Sequence, residues 1–375
     1  MKIATPFGRS LALLAPMSVV LAGLAQPAQA EWTGGDGQPT APLACDGSPA
    51  EVAAVVYNGG AVANEGAKAG QPLKVVDVPK LIGIGYFDST SKGVLNAAAE
   101  LPGVTAITDG PTQANIDEQI TLIDNYITSG IDGILFSAND PVAIAPVLRK
   151  ALAAGINVVG YDSDAEPDAR QWFVNPSEFN GVAKSLIDEL AADIGKDGSF
   201  AIVTSTFTTP NQARWIAEME AYQQACYPEM TWLETVEAQE DNILSFNQAT
   251  TLINKYGEEL DGIVGMTSVA TPAAAEAVTQ AGLCGETAVI GLATPNAMKP
   301  YVASDCVRAA VLWDTTAMGY AAMQALHAAA NGTLKAGDTS FAAGALGTLQ
   351  ILNGSQILLG APTVFTKENI TNYDF

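Results

Sequence analysis

Four carboxylates fall within seven positions of the stretch GINVVGYDSDAEPD, residues 155–168: Asp162, Asp164, Glu166 and Asp168. Clustered acids can ligate calcium, form the acid–nucleophile pair of a glycosidase, or accept hydrogen bonds from a small polar molecule. A calcium loop of EF-hand type needs Gly at its sixth position and Glu at its twelfth. Counted from Asp162, those positions hold Pro167 and Phe173, so that chemistry is excluded. A glycosidase pair needs two carboxyls in unlike environments, and nothing in the local sequence polarises Asp162 against Asp164. Asp164, Glu166 and Asp168 read as solvated loop charges, the ordinary condition of such residues. Asp162 differs, because it directly follows the apolar run INVVGY and is therefore held at the end of a buried strand.

Other chemistries find less support. The single histidine, His327, lies in the helical stretch AMQALHAAANG without a Cys or second His nearby, and reads as structural. None of the four cysteines sits in a CxxC pair, which disfavours a metal site and leaves no metal ligand set. In an exported chain they point to disulfides. Cys284 and Cys306 flank one strand-plus-helix unit whose ends can meet, giving Cys284–Cys306 and Cys45–Cys226 as the preferred pairing, with free thiols the alternative. No nucleophile motif or nucleotide-binding glycine fingerprint is present, so neither a cofactor nor catalysis is called for.

The elements that must position Asp162 alternate strictly. KLIGIGYF from Lys80 reads as a strand and STSKGVLNAAAEL as a helix; GVTAITDG, IDGILFSAND and INVVGYDSD read as further strands. Ile116, Ile120, Ile123 and Ile127 fall on one helical face, and PVAIAPVLRKALAAG opens on Pro141 and closes on Gly155 as helices prefer. The alternation restarts with GSFAIVTST, TWLETVEA, LDGIVGMTS, TAVIGLATP and CVRAAVLWD. Apolar strands joined by crossover helices make parallel sheets covered on both faces, and two successive sets make two α/β lobes of doubly wound type. Ligands of such sheets bind beyond the carboxyl ends of the strands. Those ends carry Phe87-Asp88-Ser89, Ser137 to Asp140, Asp162 to Asp164, Thr208 to Gln212 with Asn211 among them, Thr267-Ser268, Thr294 to Asn296 and Trp313-Asp314. Carboxylates, amides, hydroxyls and aromatic rings, with Lys80 as almost the only cation, suit a neutral polyhydroxylated ligand.

Composition narrows the setting. The 375 residues are 48% hydrophobic and 15% charged, ample for two buried cores. Residues 1–30 join Lys2 and Arg9 to a short apolar run and end in AQA, the pattern of a cleaved signal peptide. Its removal leaves 15 basic against 40 acidic residues, a net charge of −25 that excludes nucleic acid and anionic membrane surfaces as partners. Residues 31–77 are rich in Gly, Pro and Ala and read as an extension with one short helix around Ala50 to Val56.

VPKLIGIGYF, GYDSDAEPDAR, NQARW, GLATPNAMKPYV, LWD and the terminal VFTKENITNYDF together resemble the type I periplasmic solute-binding proteins of carbohydrate ABC importers. Within that family the likeness is nearest the branch that holds the autoinducer-2-binding protein of the Lsr uptake system and the rhamnose-binding proteins. It runs from about residue 78 to the C-terminus. It implies lobes of residues 78–175 plus 314–348 and 176–313 plus 349–375, joined by three hinge segments near Phe173 to Pro176, near Trp313 to Thr315 and within LGTLQILNGSQILLGAP. By the same resemblance Lys80, Asp162, Gln212 and the pair Trp313-Asp314 match the branch's ligand contacts. Two positions depart: Asn211 stands where the branch has Asp, and Met266-Thr267-Ser268 replaces a Pro-x-Ala segment. The departures count against autoinducer-2 and leave a small sugar standing. A periplasmic monomer that hands its ligand to an inner-membrane ABC permease is implied, with docking on a chemoreceptor as a second role and an exported sugar enzyme as the remaining class.

Overall fold

The valine-rich run LKVVDV forms the first strand, β1 (Leu73–Val78), with five of its six residues buried. Its position is a correction. KLIGIGYF was expected to be that strand, but Pro79 lacks the N–H a ladder needs and Gly83 takes a left-handed φ of +84°. The chain therefore turns at Lys80, and Gly85 opens helix α1 (Gly85–Glu100). The computed structural model describes residues 44–46, 56–60 and 64–375. The signal-peptide segment and residues 50–55 of the expected short helix lie outside the described residues.

Parallel strands β2 (Val104–Thr108), β3 (Gly133–Phe136), β4 (Asn157–Tyr161) and β5 (Trp172–Asn175) build outward from β1 in the order β5-β4-β3-β1-β2. Helices α2 (Ile116–Ser129) and α3 (Pro141–Ala153) supply the crossovers. Asn115 and Asp140 cap these two helices through their side chains, each accepting backbone N–H groups of the first turn. Adjacent residues of β1 feed opposite faces: Val75 packs toward α1, whereas Val76 and Val78 join Ile123, Ile144 and Leu148 beneath α2 and α3. Of the isoleucine stripe, Ile123 is fully buried and Ile116, Ile120 and Ile127 are partly so.

The second set repeats the plan. Strands β6 (Ser199–Thr204), β7 (Thr231–Glu237), β8 (Gly262–Gly265) and β9 (Ala288–Gly291) lie parallel in the order β7-β6-β8-β9. Helices α4 (Phe179–Ile194), α5 (Pro210–Cys226), α6 (Asn242–Tyr256), α7 (Ala270–Ala281) and α8 (Pro295–Ala303) accompany them. Strand β10 (Ala309–Leu312) bridges to this sheet through Leu292 and Val311 and pairs antiparallel with β14 (Thr363–Thr366).

After β10 the chain crosses back, and α9 (Thr315–Asn331) packs along α1. The two helices touch backbone to backbone: a Cβ on Gly93 would lie 1.9 Å from the Thr316 carbonyl oxygen, and one on Gly319 2.0 Å from that of Thr90. Strands β11 (Ser340–Ala342), β12 (Thr348–Leu352) and β13 (Gln356–Leu358) then extend the first sheet as an antiparallel meander, β13 pairing with β5 to complete eight strands. Residues 349–358 thus sit with the first sheet, although the sequence reading placed them in the second lobe. The chain passes between the sheets in the segments 176–178, 313–314 and 359–362.

Both expected disulfides are formed, Cys45–Cys226 with Cα atoms 5.4 Å apart and Cys284–Cys306 at 4.6 Å. The described part of the extension is tied to both sets: Cys45 is bonded to Cys226 of α5, whereas Tyr57 Oη donates to the Gln171 carbonyl at 3.0 Å and Asn64 Nδ2 to that of Leu152 in α3 at 2.8 Å.

Candidate functional site

Strand ends from both sheets converge on one crevice. Asp162 leaves β4 with φ +61°, a left-handed backbone that an acidic residue tolerates better than a branched one and that turns its carboxylate inward. Each carboxylate oxygen is engaged. Oδ1 accepts from Tyr86 Oη at 2.9 Å and from Asn211 Nδ2 at 3.1 Å; Oδ2 accepts from Ser137 Oγ at 2.7 Å. Lys80, which the turn after β1 delivers, lies 3.3 Å from Asp162 Oδ2 and donates to Asn211 Oδ1 at 3.2 Å. Asn211 therefore accepts from the cation with one end of its amide and donates to the anion with the other, a role an Asp there could not fill.

Asn211 and Gln212 occupy the first turn of α5, set by Pro210 at the helix start. Gln212 is held rigidly, its Oε1 accepting from Thr204 Oγ1 at 2.7 Å and Ser205 N at 2.8 Å, which aims Nε2 at Glu240 Oε1, 2.8 Å away. Aromatic rings make the walls. Tyr86 packs edge-on against Phe87 at 5.0 Å, Trp313 Nε1 donates to Tyr86 Oη at 3.0 Å, and Trp215 lies 5.5 Å from Trp313. About 330 Å³ of space is left unfilled by protein atoms, part of it open to solvent.

Seven of the eight candidate residues line this crevice: Lys80, Phe87, Asp162, Asn211, Gln212, Ser268 and Trp313. The eighth, Asp314, does not. Its exposed carboxylate accepts from Ala317 N at 2.8 Å and caps α9, as an acid ahead of a helix commonly does. Sequence reading missed Tyr86, Trp215 and Glu240. Glu240 follows β7, whose end went unread, and the rule that found Asp162 would have found it.

The other acids of the opening stretch divide. Asp164 is no solvated charge: it is buried and takes two hydrogen bonds from the buried Arg170, at 2.9 Å from Nε and 2.7 Å from Nη2. Glu166 and Asp168 both pair with Arg149 at the surface. Among the described residues no group of His, Cys, Asp and Glu could hold a metal ion.

Behind the crevice Asp77 lies fully buried in β1, accepting from Tyr161 Oη at 2.7 Å, Ser91 Oγ at 3.0 Å and Thr108 Oγ1 at 3.1 Å. Burial outweighs those three bonds and pushes its carboxyl up from 3.8 to about 6. Between about pH 4 and pH 6 the folded protein keeps a proton there that the unfolded chain has released. Stability therefore falls as pH rises through that window and is flat above it. The shift corresponds to a cost on the order of 3 kcal/mol at neutral pH. Asp77→Asn is expected to raise the urea midpoint at pH 7.5 and to flatten the slope between pH 4 and 6. An unchanged slope in the variant would place the titration elsewhere.

Residues 75–334 match the periplasmic binding protein domain family. A D-ribose/D-allose-binding protein of Pseudomonas aeruginosa is 28% identical over 222 residues, which are 57% of this chain and 66% of that protein's length. A sugar ABC transporter protein from Actinomyces odontolyticus is 31% identical, with a TM-score of 0.66 over 81% of this chain and 98% of its own. A solute-binding protein from Clostridium phytofermentas, solved with L-rhamnose, is 27% identical with a TM-score of 0.77 over the same shares.

Proposed function

The chain belongs to the periplasmic binding protein family, and from that premise we propose that it captures a small neutral sugar between its two lobes for an inner-membrane ABC permease. One observation carries the reading. Lys80 and Asp162 from one sheet meet Asn211, Gln212 and Glu240 from the other in one crevice walled by aromatic rings. Polar groups there can read hydroxyls, while Tyr86, Phe87, Trp215 and Trp313 offer faces to the C–H side of the ring. Lys80, Phe87, Asp162, Asn211, Gln212, Ser268 and Trp313 are the ligand contacts in this reading, and the ligand leaves unaltered. The crossing segments 176–178, 313–314 and 359–362 act as the hinge about which the lobes close. The closed form is what the permease recognises, and the protein works in the periplasm. No helix among the described residues is long and apolar enough to cross a membrane.

Calorimetric titration with D-ribose, D-allose, L-rhamnose, D-arabinose, D-fucose and autoinducer-2 tests the reading. Saturable binding of at least one sugar is expected, with autoinducer-2 the poorer ligand because Asn211 and Met266-Thr267-Ser268 replace the residues its binders carry. No heat with any of them would count against a sugar-binding role.

A further inference from the structure

Glu240 is the acid that neither the motifs nor the resemblance supplied, and its setting is unusual on three counts. It lines the crevice with its side chain only 7% exposed. Its Oε1 accepts from Gln212 Nε2 at 2.8 Å and lies 3.7 Å from Lys80 Nζ, whereas among the described residues no hydrogen bond reaches its second oxygen. Its backbone and that of Gln239 are both left-handed, with φ of 52° and 53°, a conformation costing non-glycine residues roughly 1–3 kcal/mol each. The chain thus turns Glu240 inward at an energetic cost and leaves half its carboxylate without a protein partner.

The charges around it do not balance. Lys80 is the one cation among the residues lining the crevice, and it faces both Asp162 and Glu240. We propose that Glu240 is a specificity-determining ligand contact: its free oxygen accepts a hydroxyl of the bound sugar, and the surplus negative charge excludes sugars bearing a carboxylate or phosphate. This deepens the sugar-binding reading and rests on it. A hydroxyl donating to a buried carboxylate forms a charge-assisted bond, whereas a sugar acid would put a third anion beside one lysine. Groups facing Glu240 are Lys80 from the turn after β1, Asp162 from the end of β4, Tyr86 from α1 and the uncharged Gln212 from α5. Burial raises its carboxyl above the ordinary range, opposed by Lys80 and reinforced by Asp162.

The test compares wild type with Glu240→Gln by calorimetry, using the tightest-binding neutral sugar of the panel and its uronic or aldonic acid, at pH 5.5 and 7.5. In the variant, affinity for the neutral sugar should drop roughly 10- to 100-fold at pH 7.5. Its preference over the acid should shrink at least tenfold, and the weakening of wild-type binding at pH 5.5 should diminish. Circular dichroism and thermal melting establish that the variant is folded, and Asp162→Asn serves as the reference for a lost anion elsewhere in the crevice. Sugar binding with unchanged affinity, selectivity and pH profile in Glu240→Gln overturns the proposal and spares the functional reading. A wild type that binds no sugar overturns both.

Discussion

Asp162→Ala is expected to weaken sugar binding by more than 100-fold. The carboxylate organises the first-sheet side of the crevice, holding Tyr86, Ser137 and Asn211 by hydrogen bonds and Lys80 by charge. Its removal takes one charged acceptor from the ligand and releases the groups that shape the wall. Each charge-assisted partner lost is worth about 1.5–3 kcal/mol, so two such losses reach the stated factor. Alanine also fits the φ of +61° less well than aspartate does, so Asp162→Asn is the cleaner companion. It should fall between wild type and Asp162→Ala. Calorimetry at pH 7.5 on proteins shown to be folded decides the matter, and a wild-type Kd in Asp162→Ala would mean the ligand binds elsewhere.

The second large effect concerns stability. Arg170 is fully buried, grips Asp164 with two nitrogens, and its Nη1 donates to Ser355 Oγ in the turn between β12 and β13. Ser355 in turn donates to Asn58 Oδ1 of the docked extension. One guanidinium thus fastens the segment after β4 to the strands that lead into the third crossing. Arg170→Ala strands Asp164 as an uncompensated buried anion and is expected to cost about 3–5 kcal/mol. Replacing both partners with apolar residues, Arg170→Met with Asp164→Leu, should recover much of that loss, since the pair's desolvation cost disappears with it. Urea unfolding of the two variants beside the wild type measures this. A double variant as unstable as the single one would show that the contacts to Ser355, rather than the ion pair, carry the effect.

How legible these features were in the sequence follows from the physics of each. Parallel sheets bury both faces of their strands, so β3, β4, β6, β8 and β9 stand out as short apolar runs, and the residue singled out just past β4, Asp162, lines the crevice. Lys80 was placed in the crevice but on the wrong element. LKVVDV and LIGIGYF are equally apolar, and only Pro79 and the left-handed Gly83 decide which is the strand. Asp164 and Asp162 are two positions apart and indistinguishable by type. What separates them is Arg170, six residues on, folding back into the same core. Asp314 read as a strand-end acid because a helix cap and a ligand contact draw on the same residue type. β11 to β13 escaped because they are short and pair antiparallel with one another, with exposed residues among the buried ones, and only β5 joins them to the rest of the sheet. The extension's docking rests on scattered contacts, the Cys45–Cys226 disulfide and hydrogen bonds of Tyr57, Asn58 and Asn64 among them, which leave no periodic trace.

Mass spectrometry of the small molecule released when freshly purified protein is denatured tests the central claim most directly. The account predicts a neutral compound of monosaccharide size that rebinds the refolded or ligand-stripped protein and is recovered chemically unchanged. Recovery of a stoichiometric anion, a nucleotide or a peptide, or of a sugar converted into another on incubation, would contradict it.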